Sequence, residues 1–241
     1  MPAKESPKKK YLVSWFGMGR IVFHPCGGRR RFTLAEKEHI MSDCTLNNCD
    51  FRGLIEKTRN YHYFVESEKV TEEMLRELVD YARLAPSTSN LNLQPLRYLI
   101  ACEEERNEKI FETLSWQGYL RGWGGPIKGV KPTGYIIVLG DKTVCSSYVA
   151  DQGIAAQSIL LGDTNKGLGG CIAAKVQRRK LREALDLPTR YEILLVIAIG
   201  KPGEEIVLEH QEPGADAYGW HDDQGNYHLP KRSLDSIILK Y

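Results

Sequence analysis

The sequence lacks several features by which a protein class is most easily recognised. No uninterrupted apolar run approaches the roughly 18 to 20 residues needed to span a bilayer, so we expect no membrane-spanning segment. Its six cysteines include no C-x-x-C pair, which indicates reduced thiols in a cytoplasmic protein rather than zinc or iron–sulfur ligands. Neither sign of charge is in surplus, because 33 Lys and Arg oppose 31 Asp and Glu. A net charge of +2 is too small for a protein that covers nucleic-acid phosphates with a basic face.

Conventional catalytic motifs are also absent. The sequence contains no G-x-G-x-x-G, P-loop, H-E-x-x-H or G-x-S-x-G pattern, and its six histidines do not cluster at ligand spacing. We place His221 and His228, which stand in a polar tail, at the surface. These absences disfavour metal catalysis and nucleophilic hydrolysis. An enzyme with this sequence would take its chemistry from an organic cofactor.

What is present is an ordinary globular composition, with 42% apolar residues in 241. Apolar periodicity alternates between helix and strand, which predicts one layered α/β or α+β domain followed by a polar tail after residue 203. An apolar segment at 234–239 ends this tail and predicts an arm that packs on another surface, for example a second subunit. The predicted helices cover residues 51–58, 71–85, 103–114, 147–166 and 177–185, and the predicted strands cover 96–101, 134–140, 169–174 and 193–200.

The first forty residues differ from the rest in charge. They carry nine basic and three acidic residues, a net charge of +6, and show no clear periodicity. Three interpretations stay open: a disordered basic tail, a weak membrane-surface or nucleic-acid arm, or residues foreign to the natural product. Lys37-Glu38 can be encoded by a ribosome-binding sequence, so translation starting at Met41 is one hypothesis. We therefore divide the chain into an extension, 1–45, and a functional domain, 46–241.

Three segments of the domain could together hold an anionic cofactor. Arg59-Asn60-Tyr61 follows the first helix, where a guanidinium can bind a phosphate or simply be solvated. The glycine-rich segment 167–170 allows close approach of a planar ligand, or forms a helix C-cap. Lys231-Arg232 could supply a second phosphate contact or be a surface charge pair.

From residue 50 to 241 the chain resembles the FMN-dependent nitroreductase family. The resemblance is carried by the ordered segments F-R-G-L-I-E-K-T-R-N-Y, A-R-L-A-P-S, Q-P-L-R-Y, D-Q-G-I-A-A-Q-S-I-L-L, G-L-G-G-C, L-R-E-A-L-D-L-P and L-V-I-A-I-G-K-P. It implies a homodimer of α+β subunits with FMN at the subunit interface. Each subunit would have a central, mostly antiparallel sheet flanked by helices.

The resemblance also implies a set of cofactor contacts. Arg59 would hold the FMN phosphate or ribityl chain, Asn60 and Tyr61 would line the cofactor, and Lys231 and Arg232 would close on the phosphate. Further contacts come from Gly167, Leu168 and Gly169 beside the flavin ring, and from Pro86, Ser87 and Asn90 of the partner subunit.

Two departures from the family pattern affect these contacts. The family commonly has serine and arginine where Asn60 and His62 stand. The loop from Ser87 is longer by two residues than usual, so Asn90, which we prefer, and Asn92 compete for one role.

The chemistry implied by the resemblance passes hydride from NADH or NADPH through the flavin N5 to an electron-poor small molecule, such as a nitroaromatic or a quinone. No side chain need act as nucleophile and no metal is needed. The aromatic loop 116–129 would form a lid on the substrate through Trp116, Tyr119 and Trp123, or would pack on the core. The alternatives are a non-catalytic flavin-binding or regulatory module of the same fold, and nucleic-acid binding through the basic arm. The natural acceptor and the choice between NADH and NADPH stay open.

Overall fold

The computed structural model describes residues 51–88, 92–116, 125–148, 150–212, 214–215 and 217–240. The predicted extension, its boundary at residue 45 and the start at Met41 lie outside these residues. Among the described helices, none combines the length and the apolar composition needed to cross a lipid bilayer.

Four strands form a central sheet in which every neighbouring pair is antiparallel. They are β1 (Leu96–Ala101), β2 (Gly134–Asp141), β3 (Gly169–Ala173) and β4 (Tyr191–Gly200), in the spatial order β1-β2-β4-β3. The two central strands are rich in Val, Ile and Leu and bury nearly every side chain, as strands covered on both faces do. All four predicted strands are confirmed, and with them the mostly antiparallel α+β fold.

Helices cover both faces of this sheet. One face carries the core around Leu75, Leu78 and Ile159, and the other carries the core around Ile110 and Leu181. The helices are α1 (Phe51–Lys57), α2 (Glu72–Leu84), α3 (Glu104–Phe111), α4 (Asp151–Asn165) and α5 (Arg178–Ala184). α2 and α4 pack on the first face, and α3 and α5 on the second.

Helix ends follow from local chemistry. The hydroxyl of Thr71 caps α2 by accepting the N–H of Met74 at 3.3 Å. α4 begins four residues later than predicted, because Tyr148 instead packs its ring where a side chain on Gly140 would lie. α4 ends at Gly167, whose φ of +70° is the left-handed conformation of a C-cap glycine.

The segment predicted as a polar tail is folded, and that prediction was wrong. It forms β5 (Ile206–His210), β6 (Trp220–His221) and β7 (Tyr227–Lys231) in the order β5-β7-β6, followed by α6 (Leu234–Ile237). The surface placement of two histidines was also wrong, because the side chains of His221 and His228 are only 27% and 18% exposed. Polar residues were misleading here because one face of this small sheet carries a Glu209–His228 ion pair of 2.7 Å instead of apolar side chains.

Candidate functional site

The segment after α1 extends the edge of the central sheet. The backbone N–H of Tyr61 donates to the carbonyl of Gly170 at 3.0 Å, and the side-chain oxygen of Asn60 accepts the N–H of Ile172 at 3.0 Å. These bonds satisfy backbone groups that the edge strand β3 would otherwise expose. They also fix the direction in which Arg59 leaves the helix.

Arg59 turns its side chain back over the end of α1. One terminal nitrogen donates to the carbonyl of Ile55 at 2.5 Å, which is a free acceptor of the last helical turn. The Nε atom is buried and has no hydrogen-bond partner in the described part of the chain. Burial lowers the pKa of Arg59, while the charges of Tyr61 and Glu56 oppose this. A partly buried guanidinium with an unused donor is prepared to bind an anion.

A cavity of roughly 600 Å³ opens beside this guanidinium. Its wall combines the end of α1, the edge segment, the loop after β4 and one face of β5. The lining residues are Glu56, Lys57, Arg59, Tyr61, Glu204, Glu205, Ile206 and Leu208. Ile206 and Leu208 of β5 give it an apolar portion beside the charged one.

Lys231 reaches the same neighbourhood from the last strand, β7. Its pKa is lowered by burial and further by the positive charge of Arg59, so the two cations are close enough to repel each other. A bound anion would relieve this repulsion. The structure thus brings together two predicted phosphate contacts from distant parts of the sequence. Arg232 follows as an exposed side chain.

The glycine-rich segment is closely packed on one side. A Cβ on Gly169 would meet the ring of Tyr61 at 2.5 Å and Pro202 at 2.9 Å, so this glycine admits a neighbouring side chain. Leu168 packs partly against the core that α2 and α4 cover. Gly167 ends α4, as the C-cap interpretation expects. Contacts of these three residues with a flavin ring stay a prediction.

The loop after α2 is anchored at the other end of α4. The hydroxyl of Ser87 donates to Asp151 at 2.7 Å, and Thr88 donates to the same carboxylate through its N–H at 2.7 Å and its hydroxyl at 2.6 Å. Fifteen helical residues, or about 20 Å, separate this end of α4 from the end near the cavity. Within one subunit, therefore, exposed Pro86 and half-buried Ser87 are not brought to Arg59.

Asparagines of this loop were predicted to approach the flavin. Asn90 lies outside the described residues. Asn92 has φ of +67°, a left-handed conformation that asparagine tolerates better than most residues. The choice between Asn90 and Asn92 stays a prediction.

Trp116 is buried instead of covering an open site. Only 9% of it is exposed, and its ring lies 5.5 Å from that of Phe111 in the core covered by α3 and α5. This position agrees with the packing alternative for the aromatic loop. Tyr119 and Trp123 lie outside the described residues, so their place beside a substrate stays a prediction.

A buried cluster beside the cavity was missed from the sequence. The Glu204 carboxylate accepts the backbone N–H groups of His62 and Tyr63, the latter at 3.0 Å, and lies 3.5 Å from the ring of His221. In the sequence Glu204 stands beside Glu205 in a polar stretch and is typical of a solvated residue. The only signal was His62, which stands where the related family commonly has arginine.

Comparison with known proteins shows a likeness to one family. Residues 146–201, which include α4, β3, α5 and β4, match the model of the Nitroreductase family. Among curated proteins the chain is similar to MhqN of Bacillus subtilis, whose name places it with the NAD(P)H nitroreductases. The two are 20% identical over 197 residues, covering 65% of this chain and 90% of MhqN.

Solved structures show the same fold. A protein from Desulfovibrio desulfuricans, solved in complex with FMN, is 22% identical with a TM-score of 0.58 over 81% of this chain and 98% of that one. An FMN-dependent nitroreductase from Clostridium difficile R20291 is 24% identical with a TM-score of 0.53 over 71% and 98%. At these identities the likeness shows that the chain has the same fold as these nitroreductases.

Proposed function

We propose that the protein is an FMN-dependent oxidoreductase that uses NADH or NADPH to reduce a small electron-poor acceptor. The observation that carries the proposal is that Arg59, which lines the cavity, lies near a second cation, Lys231, close to the glycine-rich edge strand. The match of residues 146–201 to the Nitroreductase model and an FMN-bound protein of the same fold support the same assignment.

The residues present fit a phosphate-bearing cofactor. Among the described residues, the buried Nε of Arg59 has no hydrogen-bond partner. Arg59 and Lys231 are neighbouring cations whose repulsion a bound anion would relieve. FMN, when bound, supplies the hydride chemistry that the side chains themselves lack. Arg59, Lys231 and Arg232 would hold its phosphate.

The remaining predicted contacts would orient the cofactor. The side-chain oxygen of Asn60 accepts a hydrogen bond from β3, so its amide N–H groups can bind a ligand. Tyr61 offers an aromatic edge beside Gly169, and Ile206 and Leu208 supply apolar side chains to the cavity wall. Such a site fixes and shields the cofactor without a catalytic side chain or a metal.

We include a homodimer in the proposal. Ser87 lies far from the cavity of its own subunit, so the loop from Pro86 to Asn90 can complete a site only in a second copy. Around α6, Leu234, Ile237, Ile238 and Leu239 are each more than half exposed. This apolar arm would be covered by the partner.

The acceptor class is a nitroaromatic or a quinone, with Tyr119 and Trp123 as candidate substrate contacts. The alternative is a flavin-binding or regulatory module without turnover. The cytoplasmic location stays a prediction, as does the absence of a nucleic-acid partner, with binding through the basic extension as the alternative.

A spectrum of the purified protein tests the proposal. We expect a yellow protein that bleaches with NADH or NADPH and regains colour over many turnovers when menadione or nitrofurazone is added. Bound but unreduced flavin would support the module without turnover. Absence of FMN binding at micromolar concentrations would contradict both.

Two substitutions locate the site. Arg59→Ala and Lys231→Ala should each raise the FMN dissociation constant about 10- to 100-fold, the loss expected for one charge-assisted contact. Lys180→Ala is the matched control, because Lys180 pairs with Glu112 across the α3–α5 face. Equal FMN binding by all three variants would show that the phosphate binds elsewhere.

A further inference from the structure

The carboxylate of Glu204 is more buried and accepts more backbone hydrogen bonds than is usual for a residue in a loop. Its side chain is 2% exposed, and its Oε1 atom accepts two successive backbone N–H groups, from His62 and Tyr63. Two amides of adjacent residues converging on one oxygen form a small anion receptor. The carboxylate is therefore bound to the segment that carries Arg59.

This segment is paired with the loop after β4 along its length. The N–H of Gly203 donates to the carbonyl of Tyr63 at 2.8 Å, and that of Val65 donates to the carbonyl of Lys201 at 2.9 Å. Glu204 is the next residue of this loop, and its side chain continues the ladder to His62. Without it, the chain between Arg59 and Tyr63 would lose two of its attachments.

Two imidazoles surround the same carboxylate. His62 Nδ1 lies 3.7 Å from Oε1, and His221 Nε2 lies 3.5 Å from Oε2. Tyr227 contacts both rings, with centroids 5.4 Å and 5.1 Å away. His221 and Tyr227 belong to the small sheet whose strand β7 ends at Lys231. Glu204 thus joins the two structural units that supply the two cations.

We propose that Glu204 is a positioning residue for the anion site: it holds the Arg59 segment against the small sheet, and its carboxylate lies between the rings of His62 and His221. The inference rests on the proposed function, because FMN is the anion whose binding it affects. Glu204 itself lines the cavity with Arg59.

The charge of this cluster depends on pH. Burial lowers the pKa of His62, the Glu204 carboxylate opposes that shift, and His221 adds to it. A proton on the His62 imidazole would balance the carboxylate charge and make the cavity more favourable to an anion. By reciprocity, a bound anion favours that proton. The other charged groups that line the cavity are Glu56, Lys57, Arg59 and Glu205, with the Tyr61 phenol, and Lys231 lies near Arg59.

Three variants of the full chain distinguish the positioning role of Glu204 from the effect of its charge. Glu204→Gln keeps an oxygen for the two backbone amides and removes the charge, whereas Glu204→Ala removes both. Glu205→Gln is the matched control, because it removes one charge from the same cavity without touching the imidazoles. FMN dissociation constants would be measured by fluorescence quenching at pH 8 and pH 5.5.

The comparison is made between variants, because the FMN phosphate itself takes up a proton near a pKa of about 6 in every case. We expect Glu204→Ala to weaken binding about tenfold at pH 8, with Glu204→Gln restoring it. Between pH 8 and pH 5.5, the FMN affinity of wild type and of Glu205→Gln should increase about threefold to tenfold more than that of Glu204→Gln. This is the effect expected when one positive charge is added near a partly hydrated anion site.

Each other outcome is decisive. If Glu204→Gln follows the pH response of wild type, or Glu204→Ala binds FMN as wild type does, the inference is overturned. If Glu204→Ala does not fold, the pH comparison of the two glutamine variants decides alone. If FMN binds to no variant, the proposed function fails, and the same comparison with inorganic phosphate as the probe decides the inference separately.

Discussion

Replacing Asp163 by asparagine should stabilise the protein at neutral pH. Asp163 lies in the last turns of α4 and is 1% exposed, between Leu160 and the edge strand β3. The hydroxyl of Thr164 donates to its Oδ1 at 3.1 Å, while its Oδ2 atom has no hydrogen-bond partner in the described residues. Burial raises the pKa of Asp163 to about 8. The folded protein therefore holds this carboxyl neutral well above the pH at which the unfolded chain ionises it.

The magnitude follows from linkage. The folded pKa of about 8 exceeds the ordinary value of 3.8, so stability is fully present below pH 3.8 and is lost as pH rises towards 8. The loss is about 1.4 kcal/mol per pH unit, or about 4 kcal/mol at pH 7. An asparagine side chain does not ionise and keeps the shape. Its unpaired amide group costs about 1 kcal/mol, which leaves a net gain of about 3 kcal/mol at pH 7.

Urea unfolding of wild type and Asp163→Asn between pH 5 and pH 8 measures this gain in unfolding free energy. The difference in unfolding free energy should widen with rising pH, and it should be smallest at pH 5. Asp80→Asn is the control, because Asp80 is an exposed partner of Arg83 on α2 and its removal should change stability by about 0.5 kcal/mol or less. A difference that is constant with pH would refute the neutral buried carboxyl.

Three further predictions concern other parts of the fold. Gly153→Ala in α4 should raise the unfolding free energy by about 0.5 to 1 kcal/mol, because a Cβ at this position meets no atom within 4 Å. Gly170→Ala should lower the unfolding free energy by about 1 to 3 kcal/mol, because the added Cβ would lie 2.4 Å from Leu160. Thermal unfolding of the two variants tests both predictions. Hydrogen bonds to Glu209 and then Asp222 raise the pKa of His228, so the stability that its proton gives is lost as pH rises through the folded pKa. Asn226 and His228 lower the pKa of Asp222 to about 2, so the stability that its charge gives is lost as pH falls below 3.8. His228→Gln should therefore flatten the pH profile of unfolding above pH 6.5, and an unchanged profile would contradict the ion pairs. Cys171, buried with its pKa raised to about 12, should resist a thiol reagent until the protein unfolds, as peptide mapping by mass spectrometry would reveal.

The central sheet was predictable because its signals are local and strong. β2 and β4 are continuous apolar runs bounded by glycine, and Thr71 and Gly167 mark helix ends by capping chemistry that depends on neighbouring residues alone. Such features specify an element before any tertiary contact forms. The strand order and the pairing of Arg59 with Lys231 needed the resemblance to a family.

The small sheet and the Glu204 cluster were not predictable for the opposite reason. Strands β5 to β7 are short and bury polar groups as pairs, so their side chains satisfy one another only after distant segments meet. His228 between Glu209 and Asp222 is one such pair of contacts, and Glu204 beneath His62 is another. Burial of a charged residue is decided by its partners, which a one-dimensional pattern does not contain.

The strand order of the small sheet has a consequence for protein engineering. β7 lies between β5 and β6 and is hydrogen-bonded to both, so the connection from residue 211 to residue 219 spans neighbours that do not touch each other. The backbone N–H of Gln211 donates to the carbonyl of Lys231 at 2.9 Å, so an epitope tag placed after Glu212 would leave the ladder that carries Lys231 intact. The molecule thus offers a place for labelling or surface attachment outside the hydrogen bonds that hold Lys231.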